Sequence, residues 1–170
     1  VTQVKHLVII EGADGTGKTT LSHAIADYIG GQYFHCGYHK DWNIEIYHRH
    51  IIHTAARLEQ QANIPCIIDR LALSEEVYGH AYRSYPSYNT SNFMNEIIRD
   101  YKPMLILCSN ENAEKNHELN KEKRTEMFDT IKGISEAYQR LVSMGRYGQW
   151  FKYDFDKNDM NNFISSYFKE

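Results

Sequence analysis

The stretch Val8-Ile9-Ile10-Glu11-Gly12-Ala13-Asp14-Gly15-Thr16-Gly17-Lys18-Thr19-Thr20 decides the fold. It opens inside a continuous apolar run, Lys5 to Ile10, of strand length. Residues 19 to 29 then switch to helical period, with Leu21, Ala24, Ile25, Tyr28 and Ile29 on one stripe. Between strand and helix, Gly12 to Thr19 fit G-x-x-x-x-G-K-S/T. Glycines let successive backbone N–H groups converge on phosphate oxygens, and the helix N-terminus adds a partial positive charge at the same point. The pattern therefore predicts a phosphate cradle built from Gly12, Asp14, Gly15, Thr16, Gly17, Lys18, Thr19 and Thr20. Lys18 would bridge the β- and γ-phosphates of ATP, and the Thr19 hydroxyl would hold Mg²⁺.

Working outward, Gly30-Gly31 stops the first helix and Gln32 to Cys36 reads as a second strand. Residues 43 to 62 read as a long helix with the apolar stripe Ile44, Tyr47, Ile51, Ala55, Leu58 and Ala62, its opposite face carrying His50, His53, Arg57 and Gln60. Cys66 to Asp69 is a short strand apolar on both sides, as in a parallel sheet. A helix over 72–82 follows, then a turn-rich segment, Ser84 to Thr90, expected to be an exposed loop. A helix with Phe93, Ile97, Ile98 and Tyr101 in step, a strand from Met104 to Cys108 and a polar stretch to Lys123 come next. The chain closes with a helix striped by Met127, Ile131, Ile134, Tyr138 and Leu141, a strand at 150–153, and a helix from Met160 to Phe168.

Five strands alternating with helices predict one α/β domain over residues 1–170, because parallel neighbours need crossover helices. The expected architecture is a five-stranded parallel sheet with helices on both faces, of the P-loop NTPase/nucleotide kinase type. Nineteen Lys plus Arg against 22 Asp plus Glu leave a net charge of −3, which offers no bulk field to nucleic acid or an anionic membrane. Apolar runs such as Met104 to Cys108 fall far below spanning length, and the N-terminus lacks the pattern of an export signal, so the expected compartment is the cytoplasm. Cys36, Cys66 and Cys108 lie in or beside predicted strands and read as buried, reduced thiols. His48, His50 and His53 are closely spaced, but no carboxylate or thiolate completes a metal-ligand set around them.

A phosphate cradle specifies only a nucleotide, so a second site must choose the chemistry. Asn120-Lys121-Glu122-Lys123 nearly matches the base-reading N-K-x-D of G proteins, but its last position is Lys and no strand precedes it. The strand Ile67-Ile68 ends in Asp69-Arg70, whereas an ATPase motor would place a second carboxylate there to activate water. An arginine suits a phosphate acceptor.

Three motifs occur in order between residues 7 and 83. They are Glu11 to Thr19 as E-G-x-D-G-x-G-K-T, Ile51 to Gln60 as Ile-Ile-His-Thr-Ala-Ala-Arg-Leu-Glu-Gln, and Asp69-Arg70-Leu71-Ala72-Leu73-Ser74-Glu75-Glu76-Val77-Tyr78. Together they resemble the thymidylate kinase family of nucleoside monophosphate kinases, in a short form. The resemblance implies transfer of the γ-phosphoryl of ATP, with Mg²⁺, to a deoxypyrimidine 5′-monophosphate: dTMP first, dUMP or a modified dUMP next. It implies that Asp14 addresses the sugar 3′-OH or a water beside the phosphate, that Asp69 joins Thr19 in holding Mg²⁺, and that Arg70 binds the acceptor phosphate. Arg57 would address the base edge or that phosphate, and His53 stands where the family places a base-stacking Phe. Ser74 and Tyr78, four residues apart on a helix, would face one cleft, Tyr78 packing under the sugar, with ordinary core packing as its alternative.

The loop after the second strand offers only Lys40 where the family carries arginine. A lid around 110–126 would supply charge through Arg124, or the basic cluster there is a solvated helix start. The resemblance is also compatible with a homodimer. Two rivals stand beside this reading: a deoxynucleoside kinase, which would carry a Glu base near Arg70 where this chain has Asp69, and a nucleotide-binding protein without turnover.

Overall fold

The run Leu7–Glu11 forms β1, buried along its whole length, because both faces of this strand are covered by helices. The computed structural model describes residues 6–110, 112, 128–145 and 147–169, with the backbone alone for 128–131. The element order is β1, α1 (Lys18–Ile29), β2 (Gln32–His35), α2 (Ile44–Ala62), β3 (Cys66–Asp69), α3 (Ala72–Arg83), α4 (Thr90–Tyr101), β4 (Met104–Ser109), α5 (Phe128–Ser143), β5 (Trp150–Asp154) and α6 (Met160–Tyr167). All strand pairs are parallel and the sheet order is β2-β3-β1-β4-β5. The sheet class and the alternation with helices are those read from the sequence.

Side-chain alternation divides the core into two layers. Leu7 and Ile9 of β1, Cys66 and Ile68 of β3, and Leu105 and Leu107 of β4 pack under α2, α3, α4 and α5, against Ile52, Val77, Phe93, Ile97, Ile134 and Tyr138. Val8 and Ile10, Ile67, and Met104, Ile106 and Cys108 face the other way, against Leu21 and Ile25 of α1 and Phe163 and Ile164 of α6. Cys36, Cys66 and Cys108 are buried and free, and burial pushes the Cys108 thiol up to about 12, so these are packing groups.

The deepest residues of α2 are Ile44, His48, Ile52, Ala55 and Ala56. Periodicity had pointed to Tyr47, Ile51 and Leu58, which pack only at the margin of the core, and to Ala62, which is exposed. A histidine thus holds a core position that hydropathy assigns to the neighbouring aromatic and aliphatic residues. The segment between α3 and α4 is a loop, as expected, with Ser84, Tyr85, Ser87 and Asn89 exposed. Tyr88 and Pro86 are half-buried, and Pro86 lies so close to Gly79 that a Cβ there would stand 2.6 Å from Pro86 Cα.

The topology leaves a crevice at the carboxyl ends of the strands. From β1 the chain builds β2 and β3 on one side and β4 and β5 on the other. Loops at such a switch point diverge and leave room for a ligand. The turns after β1 and β3 both open there, side by side, because β1 and β3 are paired with Ile10 opposite Asp69.

Candidate active site

The turn after β1 is shaped by contacts that no side chain could share. Gly12 has φ 147°, and a Cβ on it would lie 2.3 Å from the Cys108 carbonyl oxygen, so β4 itself dictates glycine here. Thr16 is fully buried and closes the loop by donating its hydroxyl to Ala13 O at 2.7 Å. Gly17 is the N-cap of α1, with no side-chain cap and no acidic residue in the first turn. The leading N–H groups of α1 are therefore offered to an external anion. Lys18, also buried, folds over the loop with Nζ 2.6 Å from Ala13 O. Burial, with help from the nearby Arg70 charge, lowers its ammonium to about 8. Asp14 and Gly15 are half-buried on the loop, and Thr19 and Thr20 are exposed at the start of α1.

Asp69, at the carboxyl end of β3, is buried and receives three groups on one oxygen. Thr19 and Tyr33 each donate a hydroxyl to Oδ2 at 2.9 Å, and His35 Nδ1 lies 3.4 Å from it. Burial pushes the carboxyl up, but hydrogen bonding from His35, the Lys18 charge and the Thr19 and Tyr33 hydroxyls outweigh it, and Asp69 ends at about 2. The other oxygen, Oδ1, is buried without a partner. A carboxylate oxygen left open beside a threonine hydroxyl could hold a hard cation. Among the described residues there is no group of three or more His, Cys, Asp or Glu that could hold a metal ion.

Arg70 follows in a left-handed backbone conformation, φ 73°, its N–H bonded to Ile10 O at 2.9 Å. For a residue with a Cβ this costs about 1–2 kcal/mol. The conformation turns the guanidinium back over the first loop, where it pairs with Asp14 and lies 5.0 Å above the Tyr78 ring. Glu11, fully buried at the end of β1, holds the turn from below. Its carboxylate accepts from the N–H groups of Leu71 (2.9 Å) and Leu73 (3.1 Å) and from the Ser74 hydroxyl (2.5 Å), capping α3.

These contacts gather Asp14, Lys18, Thr19, Asp69, Arg70 and Tyr78. Ser74 and Tyr78 do share one face of α3, but the Ser74 hydroxyl is consumed by Glu11 and by Tyr138 at 2.7 Å, inside the core. His53 and Arg57 do not join the cluster. α2 starts above the carboxyl ends of the strands and runs toward their amino ends, so His53, nine residues along, sits about 13 Å below its start. There its Nδ1 meets the Tyr101 hydroxyl at 2.6 Å, just before β4 enters the sheet. Arg57, one turn further, is exposed beside the same tyrosine. Motif matching alone does not show this, because local identity fixes no depth along a helix. Arg124 and all of the expected lid except 110 and 112 lie outside the described residues. Sequence reasoning gave no role to Glu11, Tyr33 or His35. The signals for Glu11 were its place at the head of the first motif and a carboxylate ending an otherwise apolar strand.

No family model and no curated protein matches this sequence. Solved structures do match in fold. YorR from Bacillus subtilis, in complex with phosphorylated GDP, aligns at TM-score 0.66 and 17% identity over 94% of this chain and 92% of that one. Deoxyadenosine kinase from M. mycoides with bound dCTP aligns at TM-score 0.55 and 16% identity, over 94% and 95%. The same enzyme with the products dCMP and a flexible dCDP aligns at TM-score 0.53. This chain therefore has the α/β fold of P-loop nucleoside and nucleotide kinases.

Proposed function

We propose that this protein transfers the γ-phosphoryl group of MgATP to the 5′-phosphate of a deoxypyrimidine monophosphate, dTMP or dUMP. The observation that carries the reading is Arg70: a strained, nearly buried guanidinium aimed across the crevice at the loop that would hold ATP. A planar fork of this kind suits a phosphate acceptor, and the Asp14 carboxylate fixes its orientation. Structural neighbours that hold nucleotides are consistent with a small nucleotide ligand.

In the proposed reaction an oxygen of the acceptor phosphate attacks the γ-phosphorus, that P–O bond forms, and the bond to the β–γ bridging oxygen breaks in line, releasing ADP. The attacking oxygen is already anionic, so no protein base is required. This favours a monophosphate acceptor over a nucleoside. A nucleoside hydroxyl must lose a proton, and Asp69, at about 2 and hydrogen-bonded to several donors, is a poor base. Thr19 and Asp69 would hold Mg²⁺, which when bound neutralises charge on the phosphates. Lys18 and the N-terminus of α1 would hold the β- and γ-phosphates, and Arg70 would bring the acceptor into line.

A coupled assay with ATP and dTMP, dUMP, 5-hydroxymethyl-dUMP, dCMP and the parent nucleosides tests this. Diphosphate from the thymine or uracil monophosphates supports it. Phosphorylation of nucleosides alone overturns it, and ATP binding without transfer to any of them favours a nucleotide-binding protein.

A further inference from the structure

A second polar cluster, separate from the contacts among Asp14, Lys18, Thr19, Asp69 and Arg70, joins α2, α3 and the segment between α3 and α4. His48, in the second turn of α2, keeps 4% of its surface exposed, as does Glu75 on α3. Tyr88, between α3 and α4, places its hydroxyl 2.7 Å from His48 Nδ1, with the two rings edge to face at 5.8 Å. The segment that delivers Tyr88 is fastened down. Glu75 accepts from the Ser87 N–H and from Arg83, each at 2.6 Å, and Pro86 lies against Gly79. Tyr88 also meets Phe93 edge-on at 5.5 Å.

The cluster sits at the carboxyl end of the sheet. Tyr47, next to His48, donates its hydroxyl to His35 O at 3.2 Å, at the end of β2. Tyr88 lies close enough to Glu11 to feel its charge. His48, one residue from Tyr47 and in the second turn of α2, thus lies at the end of that helix nearer the Asp69-Arg70 crevice than His53 does.

The hydrogen bond fixes the tautomer. Burial pushes the His48 ring down to about 4, against a weaker upward pull from Glu75, so it is neutral at pH 7. Burial pushes the Tyr88 hydroxyl upward, so it keeps its proton. Among the described residues that proton has no other acceptor than His48 Nδ1. Nδ1 accepts, and the ring proton resides on Nε2, which has no hydrogen-bond partner among the described residues.

We propose that His48, oriented by Tyr88, reads the base of the acceptor nucleotide by donating Nε2–H to a ring carbonyl, selecting 4-oxo pyrimidines over 4-amino ones. The inference rests on the reading of Arg70 as the anchor of the acceptor phosphate. A thymine or uracil presents O4 as an acceptor, whereas cytosine presents an amino group, and a donor facing a donor leaves both unpaired.

Calorimetric titration of the full chain with dUMP and with dCMP, without ATP, tests this apart from turnover. The wild type is expected to bind dUMP at least about tenfold tighter. His48→Phe keeps a ring and removes the donor, and is expected to bring the two affinities together. Tyr88→Phe deletes one hydroxyl, frees the tautomer and is expected to shrink the preference; it serves if His48→Phe fails to fold, as judged by circular dichroism. Equal binding of the two nucleotides by the wild type, binding of neither, or a full dUMP preference in the folded variants overturns the inference. If the preference is present and disappears in the variants while ATP yields no diphosphate, phosphoryl transfer fails and the base reader stands. If both nucleotides are phosphorylated and bound alike, the reverse holds.

Discussion

Arg70 concentrates the chemistry of the crevice in one side chain. Its left-handed backbone, its pairing with Asp14 and its stacking over Tyr78 serve a planar, forked cation. Arg70→Lys keeps the charge and loses the fork, so kcat/KM for the acceptor is expected to fall about 100-fold, with ATP binding measured by titration changed far less. His48 makes a separate prediction through stability. Its folded-state value of about 4 lies below the ordinary 6.5, so between these values the unfolded chain binds the extra proton. Stability gained from keeping His48 neutral is thus full above about pH 6.5 and is lost as pH falls toward 4. Relative to His48→Phe, the wild type is expected to lose about 2 kcal/mol between pH 7 and pH 5 in urea unfolding. An unchanged difference between the two proteins would show that the ring is not buried neutral. None of this was legible from composition: a histidine in a helix gives no sign of burial until its neighbours are placed.

At the scale of elements, the first strand-loop-helix unit was legible because it is local. Its glycines, lysine and threonine act on residues next to them in sequence, and Gly12 is demanded by a single nearby carbonyl. The turn after β3 was legible in part. Asp69 and Arg70 were read as a phosphate site and do face the first loop, but the backbone of Arg70 and the capping of α3 by Glu11 depend on pairing between β1 and β3, which motif spacing does not record. The depth of α2 was not legible, since nothing in its own sequence says how far each turn lies from the crevice. The α3–α4 connection was read as an exposed loop because its Ser, Tyr, Pro and Asn residues favour turns, yet Gly79 lets Pro86 pack directly on α3. Gly79→Ala must push that connection away against backbone atoms. It is expected to cost about 1–3 kcal/mol in the urea midpoint despite alanine's better helix propensity. A stabilising effect would mean that the contact with Pro86 is slack.

For the molecule as a whole, the parallel sheet and its two-sided cover followed from alternating apolar strands and amphipathic helices, and the switch point beside β1 places the candidate site. Among the described residues no helix is long and apolar enough to cross a membrane. In the proposed reading, a site made of backbone N–H groups, one lysine and one arginine would let a chain of net charge −3 hold a polyphosphate. Occupied at 100 times its dissociation constant, MgATP would add about 2.7 kcal/mol, which for this size raises Tm by roughly 5–10 °C. Lys18→Met should abolish that shift in a thermal melt.

The central claim is phosphoryl transfer between two nucleotides, and a product assay addresses it directly. Purified protein incubated with MgATP and an equimolar mixture of dTMP, dUMP, dCMP and thymidine, resolved by anion-exchange chromatography, is expected to yield dTDP or dUDP and ADP in equal amounts, with little dCDP. Consumption of thymidine with release of ADP but without dTDP, dUDP or dCDP, or no product beside unchanged ATP, would contradict it.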